Sequence, residues 1–191
     1  MTDRRSFNDA IAAHAAAIQP LFDMHDTFSK MVAKWAHTIS TGGKLMFFGN
    51  GGSAAQASHM AAELVCQLTK QRKAIAAIAL TTDTSIITAN SNDYGFATIF
   101  SRQIEAIGEE GDCAIGISTS GDSSNVLHGL VAANDRKIYT CALLGGLGGD
   151  ARAVARCSLI VPSTDTQRIQ EAHLLLGHML CAALEEELGL V

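Results

Sequence analysis

The chain has 191 residues, 48% of them apolar and 17% charged, which suits one globular domain and excludes a disordered polypeptide. The net charge is −5 without a run of lysine or arginine, so the electrostatic footprint of a nucleic-acid-binding protein is missing. The first residues, MTDRRSFNDA, contain no apolar signal core, and no uncharged stretch approaches the length of a membrane span. We therefore expect a cytoplasmic protein with five reduced cysteines and with neither membrane nor nucleic-acid partners.

Residues 1–40 predict two helices that are separated at Pro20, because proline is poorly tolerated inside a helix. The second helix carries one apolar face at helical spacing, formed by Phe28, Met31, Val32, Trp35 and Ile39. This face must pack on the rest of the chain or on another subunit. We expect residues 1–191 to form a single domain, with the 1–40 hairpin used in oligomerisation.

From Lys44 onward, short apolar runs alternate with segments of helical length. The runs cover residues 45–48, 75–80, 113–117, 138–144 and 158–161. They are continuous rather than alternating, as is typical of strands that are covered on both faces. The pattern predicts an α/β fold, a three-layer αβα sandwich around a five-stranded parallel sheet with right-handed crossovers.

Two loops at the predicted strand ends are rich in glycine or hydroxyl groups. The first strand runs into Gly49-Asn50-Gly51-Gly52-Ser53, with Ser53 as the expected N-cap of a helix from about Ala54. The third strand runs into STSGDSSN, residues 118–125, which holds five hydroxyls and a glycine. Each loop alone is compatible with a plain turn. Together, at the carboxyl ends of parallel strands and at helix N-termini, they predict a phosphate-binding site.

A dinucleotide site is the competing interpretation of the first loop, since Gly49-x-Gly51-x-x-Ala54 is close to the Rossmann fingerprint. That fingerprint requires an acidic residue about 20 positions further on. Asp83 comes about ten positions too late, and the fingerprint has no use for a nest of hydroxyls. The sequence therefore favours a smaller phosphorylated metabolite.

Two helices carry ionisable side chains among apolar neighbours. His59 and Glu63 lie one turn apart on the helix after the first loop. The last helix is apolar almost all round and contains Gln170, Glu171, His173 and His178. Each residue is either a hydrogen-bonded core residue or part of a site, and spacing alone leaves both alternatives open.

Four segments in order resemble the motifs of the phosphoheptose isomerase family within the sugar isomerase (SIS) superfamily: GNGGSAAQASHMAAEL, SNDYGF, GISTSGDSSNV and RIQEAHLLLGHML. The resemblance covers nearly the whole chain and implies a flavodoxin-like, doubly wound fold. It further implies isomerisation of sedoheptulose 7-phosphate to D-glycero-D-manno-heptose 7-phosphate through an enediol(ate). That reaction is the first step of ADP- or GDP-heptose synthesis, for lipopolysaccharide or other surface glycans. A homotetramer with sites at subunit interfaces and one Zn²⁺ per subunit are also implied.

The resemblance assigns roles to individual positions. The residues implied in zinc binding are His59, Glu63, Gln170 and His178, and the acid/base pair is Glu63 with His178. The residues implied in substrate binding are Asn50, Gly51, Gly52, Ser53, Glu63, Asn92, Asp93, Ser118, Thr119, Ser120, Ser123 and Gln170. Some relatives have an acidic residue where this chain has Gln167, and the glycine-rich stretch 145–149 suggests no role.

Helix geometry adds one expectation about this site. Gln170 and His178 are eight residues apart, or about 12 Å along a straight helix, so they should not meet on one metal ion. We expect the last helix of one chain to complete the zinc site of a neighbour. Two other interpretations remain: a non-catalytic SIS regulator, of the type associated with replication initiation, and an isomerase for a different sugar phosphate.

Overall fold

The computed structural model describes residues 4–191, and their side chains from Ser6 onward. The expected helical start at residues 1–3 lies outside the described residues. The helices are α1 Arg4–Ile18, α2 His25–Ser40, α3 Gly52–Val65, α4 Thr84–Asp93, α5 Ser101–Ile107, α6 Ser124–Asp135, α7 Ala151–Val154 and α8 Thr166–Glu187. The strands are β1 Leu45–Gly49, β2 Ala77–Ala79, β3 Cys113–Ser118, β4 Tyr139–Gly145 and β5 Cys157–Val161.

The five strands form one parallel sheet in the order β2-β1-β3-β4-β5, which is the flavodoxin-like, doubly wound order. The predicted fold class and all five predicted strands are confirmed. Only β2 is markedly shorter than expected. The amide of Ile75, at the start of the apolar run 75–80, donates to the carbonyl of Leu64 at the end of α3 and not to a neighbouring strand.

Helices cover both faces of the sheet. Helices α2, α3 and α8 pack on one face, around residues such as Phe47 and Ile115. Helices α5, α6 and α7 cover the other face, where the ring centroids of Phe48 and Phe100 are 5.2 Å apart. Because α3 and α6 lie on opposite faces, the loops after the neighbouring strands β1 and β3 border the crevice where ligands bind in such folds.

The N-terminal helix pair is present, and Pro20 lies in a short 3₁₀ helix, Gln19–Met24, between α1 and α2. The apolar face of α2 packs on its own domain, with Trp35 fully buried in an edge-on contact with Phe47. Helix α1 lies against α8, where Nδ1 of His14 is 2.6 Å from a carboxylate oxygen of Glu171. Among the described residues, none of the helices has the length and apolarity needed to cross a membrane.

Helices α3 and α8 run side by side in the same direction, and this pairing determines the geometry of the site. Gly52 lies beside Gln170 at one end, and Met60 lies beside Gly177 further along. A Cβ at Gly177 would lie 3.1 Å from the sulfur of Met60, so a glycine allows the two helices to approach closely.

Candidate active site

The two predicted phosphate loops are tied together by a pair of side-chain amides. Asn50 in the β1–α3 loop and Asn125 in the first turn of α6 each donate to the other's oxygen, both at 2.8 Å. Asn125 is 2% exposed and was not singled out by sequence reasoning. An asparagine in a first helical turn is usually solvated, so only the adjacency of β1 and β3 identifies its partner.

The β1–α3 loop differs from the sequence prediction in its helix cap. Gly51, not Ser53, is the N-cap of α3, and it adopts a left-handed φ of +55° that favours glycine. Ser53 is instead the second residue of the helix and is 3% exposed, with its amide bonded to the carbonyl of Asn50 at 2.9 Å. The turn through Gly51 therefore starts the helix earlier than predicted.

The β3–α6 loop gathers its hydroxyls into a compact nest. The Oγ of Ser118 lies 3.3 Å from the Oγ of Ser123 and 3.5 Å from that of Ser120. It also accepts the amide of Gly121 at 3.0 Å, while Thr119 is half-buried beside it. Several donors thus surround one small volume at a helix N-terminus, an arrangement suited to an anion.

The glycine-rich stretch 145–149 closes one side of this nest, a role that sequence reasoning missed. Asp122 accepts the amide of Asp150 at 2.9 Å, and the carbonyl of Gly121 accepts the amide of Ala151 at 2.9 Å. A Cβ on Gly121 would collide with the backbone carbonyl of Gly148. Two glycine-containing loops therefore touch backbone to backbone, and a side chain cannot be added between them.

Three of the residues implied in zinc binding meet in one place. The Nε2 atoms of His59 and His178 are 2.8 Å apart, and a carboxylate oxygen of Glu63 lies 3.4 Å from Nε2 of His59. The three ligand atoms lie within 4.8 Å of one another. His59 is 43% exposed and Glu63 19% exposed, so the cluster is open to a ligand.

The donor set of this cluster fits a zinc ion. Zinc accepts imidazole nitrogen and carboxylate oxygen at about 2.1 Å, which places tetrahedral ligand atoms about 3.4 Å apart. The separation between His59 and Glu63 matches that value, while the two imidazoles would have to move apart by about half an ångström.

Within one chain, Gln170 lies apart from this cluster. Its side-chain amide lies over the first turn of α3, 2.5 Å from the position that a Cβ on Gly52 would occupy. The main-chain carbonyl of Gln170 accepts the side-chain amide of Gln56 at 2.6 Å. The prediction that Gln170 and His178 stay apart along α8 agrees with this. His178 meets His59 and Glu63 of its own chain because α3 and α8 pack in parallel. That the last helix of one chain completes the zinc site of a neighbour stays a prediction.

Asn92 and Asp93 end helix α4 and are both exposed. Their side chains bond to each other, with Nδ2 of Asn92 donating to Oδ1 of Asp93 at 2.7 Å. Asp93 is not a member of the cluster that His59, Glu63 and His178 form.

His173 is a core residue. It is 1% exposed, and its Nε2 lies 3.0 Å from the carbonyl of Leu144 at the end of β4. Burial lowers the pKa of His173 from 6.5 to about 4, although the hydrogen bond to Leu144 opposes this effect. The imidazole is therefore neutral at pH 7 and donates to the carbonyl, while its Nδ1 has no partner.

Comparison with known proteins identifies the family. Residues 7–145 match the SIS domain. The chain is 56% identical to a phosphoheptose isomerase of Aquifex aeolicus over 151 residues, which is 79% of either chain. It is 49% identical to that of Paramagnetospirillum magneticum over 93% of this chain and 89% of the relative. The phosphoheptose isomerase of Neisseria gonorrhoeae has the same fold, with a TM-score of 0.84 and 38% identity over 94% of this chain and 99% of that one. The chain therefore belongs to the phosphoheptose isomerase family of SIS-domain proteins.

Proposed function

We propose that this protein is a cytoplasmic aldose–ketose isomerase. It converts sedoheptulose 7-phosphate to D-glycero-D-manno-heptose 7-phosphate through an enediol(ate), as the first step of ADP- or GDP-heptose synthesis. The observation that carries the proposal is the meeting of Glu63 and His178, from two different helices, in a chain of the phosphoheptose isomerase family.

The phosphate group binds in the hydroxyl nest of the β3–α6 loop. The short separations among Ser118, Ser120 and Ser123 support this assignment, and Thr119 supplies a further hydroxyl. The glycine-rich turn after β1 borders the same crevice, so Asn50, Gly51, Gly52 and Ser53 contact the substrate there. Asn92, Asp93 and Gln170 complete the binding residues, and their amide and carboxylate groups suit the hydroxyls of a sugar.

Glu63 and His178 divide the proton transfers between them. Glu63 removes a proton from C1 of the ketose, next to the carbonyl, and returns it to C2 to form the aldose. His178 moves the second proton between the oxygens on C1 and C2. The partial exposure of both side chains supports their access to a bound sugar.

Zn²⁺ is the proposed cofactor, held by His59, Glu63 and His178 with Gln170 of a neighbouring subunit as a fourth ligand. When bound, it polarises the carbonyl and hydroxyl oxygens of the sugar. His59 has no other role in the proposal, and its Nε2 faces both Glu63 and His178.

The complete site forms between subunits of a homotetramer. Along α3, Glu63 lies eleven residues from Gly52, or about 16 Å, so the cluster and the strand tips of one chain are well separated. We infer that the nest and Gln170 of one chain face the cluster of a neighbour. Exposed apolar residues on the N-terminal helices and α8 support self-association there: Phe7, Ile11, Phe22, Leu175 and Met179.

The test is incubation with sedoheptulose 7-phosphate, followed by NMR detection of the aldose signal. Glu63→Gln is expected to abolish turnover and to retain sugar-phosphate binding, measured by calorimetry. Glu105→Gln is the matched control, since it changes an exposed carboxylate on α5. Binding without turnover by the unchanged protein would instead indicate a non-catalytic, sugar-phosphate-binding SIS regulator.

A further inference from the structure

Arg72 carries a buried charge that the proposed chemistry does not use. It follows α3 in the segment that leads to β2, and its side chain is only 1% exposed. Its partner Glu185, on α8, has a side chain that is 2% exposed. Nε and Nη2 of Arg72 lie 2.8 and 2.7 Å from the same carboxylate oxygen. Removing two charges from water is costly and seldom adds stability, so such a pair invites another explanation.

The same guanidinium also holds the C-terminal end of α3. Nη2 donates to the carbonyl of Glu63 at 2.7 Å, and Nη1 donates to that of Leu64 at 2.7 Å and to that of Cys66 at 3.2 Å. The last carbonyls of a helix lack partners within the helix, and a positive charge at this end is favourable. Arg72 therefore binds the backbone of the residue whose side chain belongs to the cluster.

Glu185 extends this connection to the second helix of the site. It lies seven residues after His178 on α8, which is about two helical turns. One side chain thus contacts the end of α3 at Glu63 and the part of α8 that follows His178. A lysine could pair with Glu185, but a single ammonium group lacks the planar fork that reaches several acceptors at once.

We propose that Arg72 is a positioning residue that sets the separation between Glu63 and His178. It does so by fixing the ends of α3 and α8 relative to each other, without touching the substrate. This inference rests on the proposed function for the roles of Glu63 and His178. A purely structural role would give the same loss of stability on mutation, so the test must separate folding from positioning.

The double variant Arg72→Met/Glu185→Leu makes that separation. It removes the ion pair without leaving a buried charge unpaired. Because it also removes the donors to the carbonyls of Glu63, Leu64 and Cys66, kcat is measured at a temperature where urea denaturation shows the variant to be folded. We expect kcat with sedoheptulose 7-phosphate to fall about tenfold or more, since small misplacements of reacting groups are costly. KM should change less than about twofold because the phosphate nest is untouched. The single variant Arg72→Lys should have a kcat between that of the double variant and that of the unchanged protein.

The matched control is Lys44→Met/Asp112→Leu. Among the described residues, Lys44 and Asp112 also form an ion pair with a buried carboxylate, 2.6 Å apart, next to the amino ends of β1 and β3. The side chain of Lys44 is 29% exposed and that of Asp112 3%, so this control loses a partly buried pair and leaves α3 and α8 untouched. Its kcat should stay within about twofold of the unchanged protein at a temperature where both are folded.

Cobalt(II) affinity gives a second readout that does not depend on turnover. The chelator-treated proteins are titrated with Co²⁺ and followed by visible absorption. The Kd of the Arg72→Met/Glu185→Leu variant should rise about tenfold because His59, Glu63 and His178 no longer converge. If the unchanged protein does not turn over the sugar, the proposed function fails, and the titration alone decides this inference. A folded double variant with unchanged kcat and unchanged Co²⁺ affinity would overturn it.

Discussion

Acidification should destabilise this protein through His173. The unfolded chain protonates this imidazole near pH 6.5, whereas burial keeps the folded pKa at about 4. Between these values the unfolded state binds more protons, so the free energy of unfolding falls as the pH is lowered. At about 1.4 kcal/mol per pH unit, the contribution of His173 amounts to about 3 kcal/mol lost between pH 7 and pH 4.

The assay is urea denaturation across this pH range at a fixed chain concentration, followed by the fluorescence of the single tryptophan, Trp35. The variant His173→Gln keeps a donor for the carbonyl of Leu144 and removes the titrating ring. Between pH 7 and pH 4, the free energy of unfolding of His173→Gln should fall by about 3 kcal/mol less than that of the unchanged protein. His25→Asn, at a side chain that is 84% exposed, should reproduce the original pH dependence. Identical pH dependence in His173→Gln would refute the reasoning.

Two further predictions concern the phosphate loops. Gly121→Ala should lower the free energy of unfolding by at least about 2 kcal/mol, because its φ is +78° and a Cβ would collide with Gly148. Gly51→Ala, at φ +55° with open space around it, should lower the free energy of unfolding by only about 1 kcal/mol in the same urea titration. Equal losses in the two variants would contradict the predicted collision between a Cβ at residue 121 and Gly148. Asn125→Ala should cost about 1–3 kcal/mol and weaken inorganic phosphate binding in calorimetry, because both bonds to Asn50 are lost. Unchanged phosphate affinity would show that the loops position themselves without this pair.

The layout of the sheet was predictable because strands covered on both faces are continuous apolar runs. The two loops could be expected near each other because the carboxyl ends of parallel strands meet at one edge. The cap at Gly51 was missed, since a left-handed φ is not visible in a sequence that offers Ser53 as a good cap.

Contacts between distant helices were harder to predict. The pairing of His59 with His178 depends on how far α8 slides along α3, and the close approach of the two helices at Met60 depends on Gly177. Arg72 lies in the polar stretch TKQRK, residues 69–73, which is typical of a solvated loop. Its burial against Glu185 follows only from the folded arrangement of α3 and α8.

Hydrogen exchange at C1 of the ketose tests the proposed catalysis most directly. Sedoheptulose 7-phosphate is incubated with the protein in D₂O, and the C1 proton signals are followed by NMR. If Glu63 is the carbon base, the unchanged protein will replace a C1 hydrogen with deuterium, and Glu63→Gln will not do so while still binding the sugar. Exchange at the original rate in Glu63→Gln would contradict that assignment.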